Sequence, residues 1–305
     1  MAGKHPAHAP LDNLSEVFVM DFGIVCFPTD TSIEPQDLGP ALESRGFESL
    51  FYAEHTHIPT SRRSPFIGGG ELPSMYSHSH DQFVALSMVA AVTKTLKLGT
   101  GVTLLTEHDP IHIAKAAASL DRLSGGRLLF GIGAGWNAEE MADHGVQFAD
   151  RWKVTRERML AIKRIWCDDV PEYHGQFVDF PPMWCWPKPQ QTGGPPVLMG
   201  AYSKYVPARI AEYCDGWMPI EGLLADFPSA LLDIHAAMRA RGRDPATLDI
   251  TVLAEVSDQR GIDPARLERM LSLGANRVLL PFADFPRDEA LRVLDEYAAT
   301  IARLG

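Results

Sequence analysis

The chain has 305 residues, 46% hydrophobic and 22% charged, enough to bury a sizeable core in one large α/β domain or two smaller ones. A formal net charge of −11 argues against general nucleic-acid or anionic-membrane binding, which needs a basic footprint, but an anionic cofactor can still be held locally by backbone N–H groups and one or two arginines. Cys26, Cys167, Cys185 and Cys214 are scattered without a CxxC pair or metal-like spacing, the usage of reduced thiols in a cytoplasmic protein.

In chain order, residues 1–13 are polar and proline-rich without an apolar signal core, and are expected to form a flexible tail ahead of one domain over 14–305. No apolar run is long enough to span a bilayer. Short apolar runs then alternate with longer amphipathic ones. Strands are expected at 18–25, 49–53, 96–102, 127–132, 196–200, 216–219, 249–254 and 277–281. Helices are expected at 35–45, 82–93, 111–123, 151–166, 205–213, 227–241, 264–273 and 288–304. Eight strand–helix alternations, with strands that are continuous runs of Val, Ile and Leu, predict strands buried on both faces and a parallel (β/α)8 TIM barrel.

Local punctuation agrees with that register. Pro35 occupies a helix N1 position, Gly46 follows the same helix, and Ser124-Gly125-Gly126 ends another. Asp263-Pro264 reads as an N-cap followed by N1. Two stretches exceed a minimal barrel: 55–80, after the second strand, and 171–195, before the fifth, which contains a hairpin-like EYHGQFVDF and a Trp/Pro-rich run. Both are expected to leave C-terminal strand ends and to wall or cover a pocket there.

Three segments can carry chemistry. In Arg127-Leu-Leu-Phe-Gly-Ile-Gly-Ala-Gly-Trp136-Asn137 a strand runs into a Gly-x-Gly-x-Gly turn, whose glycines either make room for packing or let the backbone approach a ring or phosphate. A dinucleotide fold is the poorer reading, because the third glycine comes one position early. Leu98-Gly-Thr-Gly-Val102 likewise ends a strand in small residues, serving core packing or a flat ligand. Glu54-His-Thr-His57 places a carboxylate and two imidazoles at a strand end, suited to acid/base work near neutral pH. A metal site there would need further ligands at other strand ends, and the fifth and sixth strands offer no histidine.

In assembled order these segments resemble the luciferase-like family of flavin- and F420-dependent oxidoreductases. The resemblance rests on Ala53-Glu-His55, on the run from His108-Asp-Pro-Ile-His-Ile-Ala-Lys115 to Trp136, and on Phe177-Val-Asp-Phe180, Pro187-Lys-Pro189, Pro195-Pro-Val-Leu-Met-Gly200 and Cys214-Asp-Gly-Trp217. It covers nearly the whole chain from Phe22-Gly-Ile24. Phe27-Pro-Thr-Asp30 and the loop from His57 through Arg62-Arg63 to Pro73 resemble an actinobacterial F420-dependent branch.

That resemblance implies a tricyclic ring across the barrel mouth, backed by a non-proline cis peptide at Gly101-Val102. It implies F420 as cofactor, with FMN as the alternative, a small-molecule substrate, a homodimer and no metal. His55 is the implied proton-handling residue, with Glu54 orienting or hydrogen-bonding. Gly133, Ala134 and Gly135 match a cofactor-contacting turn. Gly200, Ala201, Tyr202 and Ser203 stand where relatives often carry Gly-Gly-x-Ser, and are candidate phosphate or ribityl contacts. Trp136 departs from relatives that carry a catalytic glutamate there, so a sugar-phosphate dehydrogenase mechanism does not transfer. Met75, Tyr76, Trp136, Trp184 and Trp186 are candidate substrate-pocket residues, and Arg62 and Arg63 candidate partners for an anionic cofactor tail. The implied chemistry is hydride transfer at the deazaflavin C5, with an FMNH2-dependent monooxygenase, a non-catalytic flavin-binding relative and a metal hydrolase as successively different alternatives.

Overall fold

A computed structural model describes residues 20–66, 68–223, 226–254, 264–272 and 274–303. The expected tail 1–13 and the Asp263 cap lie outside the described residues. In chain order the elements are β1 (Asp21–Cys26), α1 (Pro35–Glu43), β2 (Ser49–Tyr52), α2 (Gln82–Val92), β3 (Lys97–Thr100), β4 (Thr103–Leu104), α3 (Pro110–Leu123) and β5 (Leu128–Gly133). There follow α4 (Ala138–Asp143), α5 (Arg151–Cys167), the hairpin β6 (Tyr173–His174) and β7 (Asp179–Phe180), β8 (Val197–Met199), α6 (Val206–Tyr213) and β9 (Gly216–Trp217). The chain ends with α7 (Phe227–Ala240), β10 (Asp249–Leu253), α8 (Pro264–Ser272), β11 (Arg277–Pro281) and α9 (Arg287–Ile301).

The parallel strands are ordered β3-β2-β1-β11-β10-β9-β8-β5, and β5 pairs back onto β3 and β4, so the sheet closes. Counting β3 and β4 as one interrupted strand gives the eight-stranded barrel that the alternation predicts. All six residues of β5 are buried, as a strand covered on both faces requires. The lumen is filled by Phe51, Leu129, Leu198, Met218 and Leu279, a cluster separate from the shell between strands and helices. Glycine permits this filling: a β-carbon at Gly99 would lie 2.2 Å from the Phe51 ring.

The third strand is where the barrel departs from regularity. Leu98 lies opposite Leu128 and Thr103 opposite Ile132, so five steps along this strand accompany four along its neighbour. That is a bulge, and its extra residue falls at the Gly101–Val102 peptide, which is cis as the resemblance implies.

Charges close the opposite, N-terminal end. Arg277, at the start of β11, donates to both oxygens of Glu48 at 2.8 Å and to Thr251 Oγ1 at 2.8 Å, and pairs with Asp249 Oδ2 at 3.1 Å. Lys97 completes the network on Glu48 at 2.7 Å.

Two expectations need correction. Segment 171–195 follows a helix, not a strand: it starts from the end of α5 and feeds β8, so it is anchored at the N-terminal side of the barrel. Lys188 Nζ donates to the carbonyls of Ile165 and Asp168, and the Gln190 and Gln191 backbone N–H groups donate to Asp121 at the end of α3. Its hairpin then lies along α5, where Glu157 accepts from the N–H groups of Gln176, Phe177 and Val178. The second correction is α4, a short helix not expected from apolar periodicity. Among the described residues no helix is long and apolar enough to cross a membrane.

Candidate active site

A cavity of about 370 Å³ opens at the C-terminal ends of the strands. Its walls come from the ends of β1 (Val25, Cys26, Phe27), β2 (Ala53, Glu54, His55) and β11 (Pro281, Phe282, Ala283), with Gly101, Val102, Leu253 and Trp136. The insertion 55–80 turns back over this mouth and contributes Met75 and Tyr76. Side-chain volume below explains the flat floor: a β-carbon at Gly133 or Gly200 would come within 2.7 or 2.4 Å of a Val102 methyl. Those glycines let Val102 sink into the barrel wall and leave the backbone of residues 101–102 at the cavity surface.

His55 is buried, and both ring nitrogens are occupied. Nδ1 lies 2.6 Å from Glu140 Oε2, and Nε2 lies 3.3 Å from the Trp136 indole nitrogen. An indole N–H only donates, so Nε2 is the acceptor and Nδ1 carries the proton that is donated to Glu140. His55 Nε2 is therefore turned toward the Trp136 side of the cavity. Rings enclose it: Tyr76 at 5.2 Å, Trp136 at 5.7 Å and Phe27 at 6.3 Å between centroids, with Phe66 packed on Tyr76 at 5.2 Å.

Glu54 does not orient His55, contrary to expectation. Both its oxygens lie 3.0 Å from Nε2 of His108, and Oε1 also accepts from the Leu104 N–H. Burial opposes a charge on His108, but the Glu54 carboxylate outweighs it and raises the imidazole pKa. Orientation of His55 falls to Glu140, on α4, which also accepts from the Thr56 backbone at 3.0 Å. Desolvation would push Glu140 up, yet the hydrogen bond from His55, with those from Glu107 and the His57 N–H, holds its pKa below the ordinary value. Between these pairs sits Glu107, whose pKa is pushed up to about 10 by burial first and then by the charges of Glu140 and Glu54.

The remaining expected residues fall into three places. Glu54, His55, Met75, Tyr76, Gly101, Val102 and Trp136 share the cavity. Gly133, Ala134 and Gly135 pack beneath or beside it: Ala134 carbonyl accepts from Thr106 Oγ1, and Gly135 has φ +75°. Gly200 backs Val102, Ala201 carbonyl accepts from the Trp217 indole, and Tyr202 and Ser203 line a neighbouring cavity of about 340 Å³ with Asp226 and Asp233. Trp184 is 84% exposed on the segment rooted at the other end of the barrel and lines no part of the mouth, and Trp186 is 54% exposed.

His57 turns away from His55 to meet Asp143 at 3.0 Å, and Arg63 pairs with Glu139, while Arg62 lines a surface hollow beside Glu71. Glu107, His108 and Glu140 are the site residues that sequence reasoning missed. Glu140 had a signal: Asn137 caps α4 by accepting from the Glu139 and Glu140 N–H groups, and Asn-x-x-Glu is the spacing of a capping box.

Comparison with known proteins agrees with this architecture. The chain is 38% identical to the uncharacterized protein Rv0953c of Mycobacterium tuberculosis over 289 residues, 93% of this chain and 99% of that one. It is 24% identical to the F420-dependent hydroxymycolic acid dehydrogenase of the same organism, over 73% of this chain and 74% of that one. The crystal structure of monooxygenase RslO1 from Streptomyces bottropensis superposes with a TM-score of 0.77 at 19% identity, covering 93% of this chain and 99% of the other. The luciferase-like monooxygenase family profile matches residues 20–303, and the chain belongs to that family.

Proposed function

We propose that this protein is an F420-dependent oxidoreductase that transfers hydride between the deazaflavin and a small organic substrate, with His55 handling the accompanying proton. The observation that carries the reading is the placement of a buried imidazole, oriented by Glu140 and Trp136, on the wall of a strand-end cavity lined at its base by Gly101 and Val102. The cavity lies within the range of about 300–1,000 Å³ that small-molecule and cofactor sites occupy. Gly101, Val102, Leu253 and Pro281 present an apolar face suited to a flat ring, and Ala53 and Ala283 keep the rim low. When bound, the cofactor supplies or accepts the hydride, and the redox chemistry is its own.

The chain's own contribution is positional. His55 holds a proton acceptor at Nε2, Trp136 and Tyr76 exclude water around it, and Phe27 and Met75 give the substrate side an apolar, ring-rich wall. A relative named as F420-dependent, together with the matching Ala53-Glu-His55 and Phe27-Pro-Thr-Asp30 segments, supports F420 over FMN. The same reading includes a homodimer: α2 leaves Val84, Met88 and Val92 61%, 41% and 44% exposed at four-residue spacing, an apolar stripe for a second copy to cover.

Titration of the purified protein with F420 and FMN, oxidised and reduced, followed by ring fluorescence, tests the cofactor. Saturable F420 binding that is weakened by Gly101→Trp supports the proposal. Preference for reduced FMN would move the assignment to a monooxygenase, and binding of neither would remove the oxidoreductase reading.

A further inference from the structure

The carboxyl groups of Glu107 and Glu140 are hydrogen-bonded to one another inside the barrel wall, with side chains 6% and 0% exposed as residues. Two carboxylates in contact without water cannot both stay charged, because their repulsion adds to the desolvation of each. Partners decide which one keeps the proton. Glu140 accepts from His55 Nδ1 at 2.6 Å, from the Thr56 N–H at 3.0 Å and from the His57 N–H at 3.5 Å, all bonds that favour an anion. Glu107 has a buried Oε2 that meets no donor. As an ion it would leave that oxygen unsatisfied; as a carboxylic acid it donates to Glu140 and the cluster closes.

Other charged groups around the pair point the same way. Glu54 adds a second negative charge next to Glu107, and its own compensation is spent on His108, itself flanked by Asp81 and Arg158. On the α4 side, His57 is held by Asp143 at 3.0 Å, and His144 contacts Thr56 Oγ1 at 2.8 Å, with its pKa lowered by burial and by His57. Among the described residues, no Lys or Arg side chain bonds to Glu140.

We propose that Glu107 stays protonated in the folded protein and donates to Glu140, which is thereby fixed as the anion that binds Nδ1 of His55 and turns Nε2 toward Trp136 and the cavity. Glu107 and Glu140 are positioning residues: neither reaches the cavity, and both act through His55. Glu107 serves as a neutral donor in a place where an ionised carboxylate would compete with the imidazole for the same partner. The arrangement rests on the proposed chemistry only for the use to which the Nε2 position is put.

The test needs no cofactor and no substrate. The full chain, labelled with ring-15N histidine and side-chain-carboxyl-13C glutamate, is titrated by NMR between pH 5 and 8, with His55→Gln and Glu107→Gln used to assign the two signals. The expected result is a Glu107 carboxyl carbon that stays at its protonated shift throughout, and a His55 ring with Nδ1 protonated and Nε2 bare at the upper end. In Glu140→Leu, which offers Nδ1 no acceptor, the Nδ1–H preference is lost, whereas Glu107→Gln, whose amide still donates to Glu140, keeps it. A Glu107 signal that titrates between pH 5 and 8 or is already ionised at pH 5, or a His55 that keeps Nδ1–H in Glu140→Leu, would overturn the proposal. A purely space-filling role would leave the tautomer unmoved in both variants. Failure here leaves the cofactor titration untouched, so the two ideas stand or fall separately.

Discussion

The barrel carries a buried charge cluster at each end, and they are built on opposite principles. At the N-terminal end the charges are tied by direct ion pairs, Arg277 shared by Glu48 and Asp249 with Lys97 outside, and only Asp21 alongside is pushed up, by burial and by Glu48. Burial alone would raise the Glu48 pKa, but Arg277 and Lys97 pull it down to about 2. At the C-terminal end three glutamates, Glu54, Glu107 and Glu140, face two histidines, and Glu107 is pushed up to about 10. A cluster tied by direct ion pairs stabilises strand starts. An overloaded one keeps titratable groups poised beside a cavity, where perturbed ionisation marks function. The difference also follows the division of labour in this fold, with chemistry at the C-terminal face and stability at the N-terminal one.

Substitutions at the two ends should separate cleanly. The largest effect is expected at the mouth: with a substrate that the wild-type enzyme turns over, His55→Gln, whose amide can still donate to Glu140, should lower kcat by about 10²–10⁴-fold, the usual worth of a general acid or base, while the thermal midpoint moves less than in Arg277→Met. Arg277→Met should do the reverse. It removes the cation of Asp249 and leaves Glu48 with Lys97 alone, and should cost about 3–5 kcal/mol in denaturant unfolding, with cofactor affinity unchanged.

pH sharpens the contrast, because the two key glutamates shift in opposite directions. Glu48 is depressed when folded, so its stabilisation is present above the unfolded value near 4.5 and is lost as pH falls toward about 2. Glu107 is raised when folded, so its contribution is full below 4.5 and is lost as pH rises toward about 10. Glu107→Gln should therefore unfold at a higher temperature than wild type at pH 8, by a margin that shrinks toward pH 5. An equal margin at both pH values would contradict a protonated Glu107. The smallest effect is expected from Trp136→Phe, which removes one long hydrogen bond to His55 and should change kcat by no more than about tenfold, the worth of about 0.5–1.5 kcal/mol.

Much of this was legible before any coordinates. Strand and helix periodicity, Pro35 and the Ser124-Gly125-Gly126 stop placed the barrel, and the resemblance placed the Gly101–Val102 bulge and the Ala53-Glu54-His55 end. What sequence order could not carry was who faces whom. Glu54 and His55 are neighbours in the chain, so pairing them was natural, yet consecutive residues at a strand end point to different sides. Each found its partner far away, His108 for Glu54 and Glu140 for His55, through a turn and a helix whose approach is set by tertiary packing. Trp184 misled for a similar reason: a Trp/Pro-rich insertion suggests a pocket wall, but its direction is fixed by the helix end it leaves and by Lys188 and Asp121, which hold it at the far end.

The most direct test of the account is a crystal structure of the protein with F420. The account predicts that the tricyclic ring lies against Gly101–Val102, between Leu253 and Trp136, on the side of the mouth that His55 faces. Ring density in the neighbouring cavity beside Tyr202 and Asp233, or none at saturating F420, would contradict it.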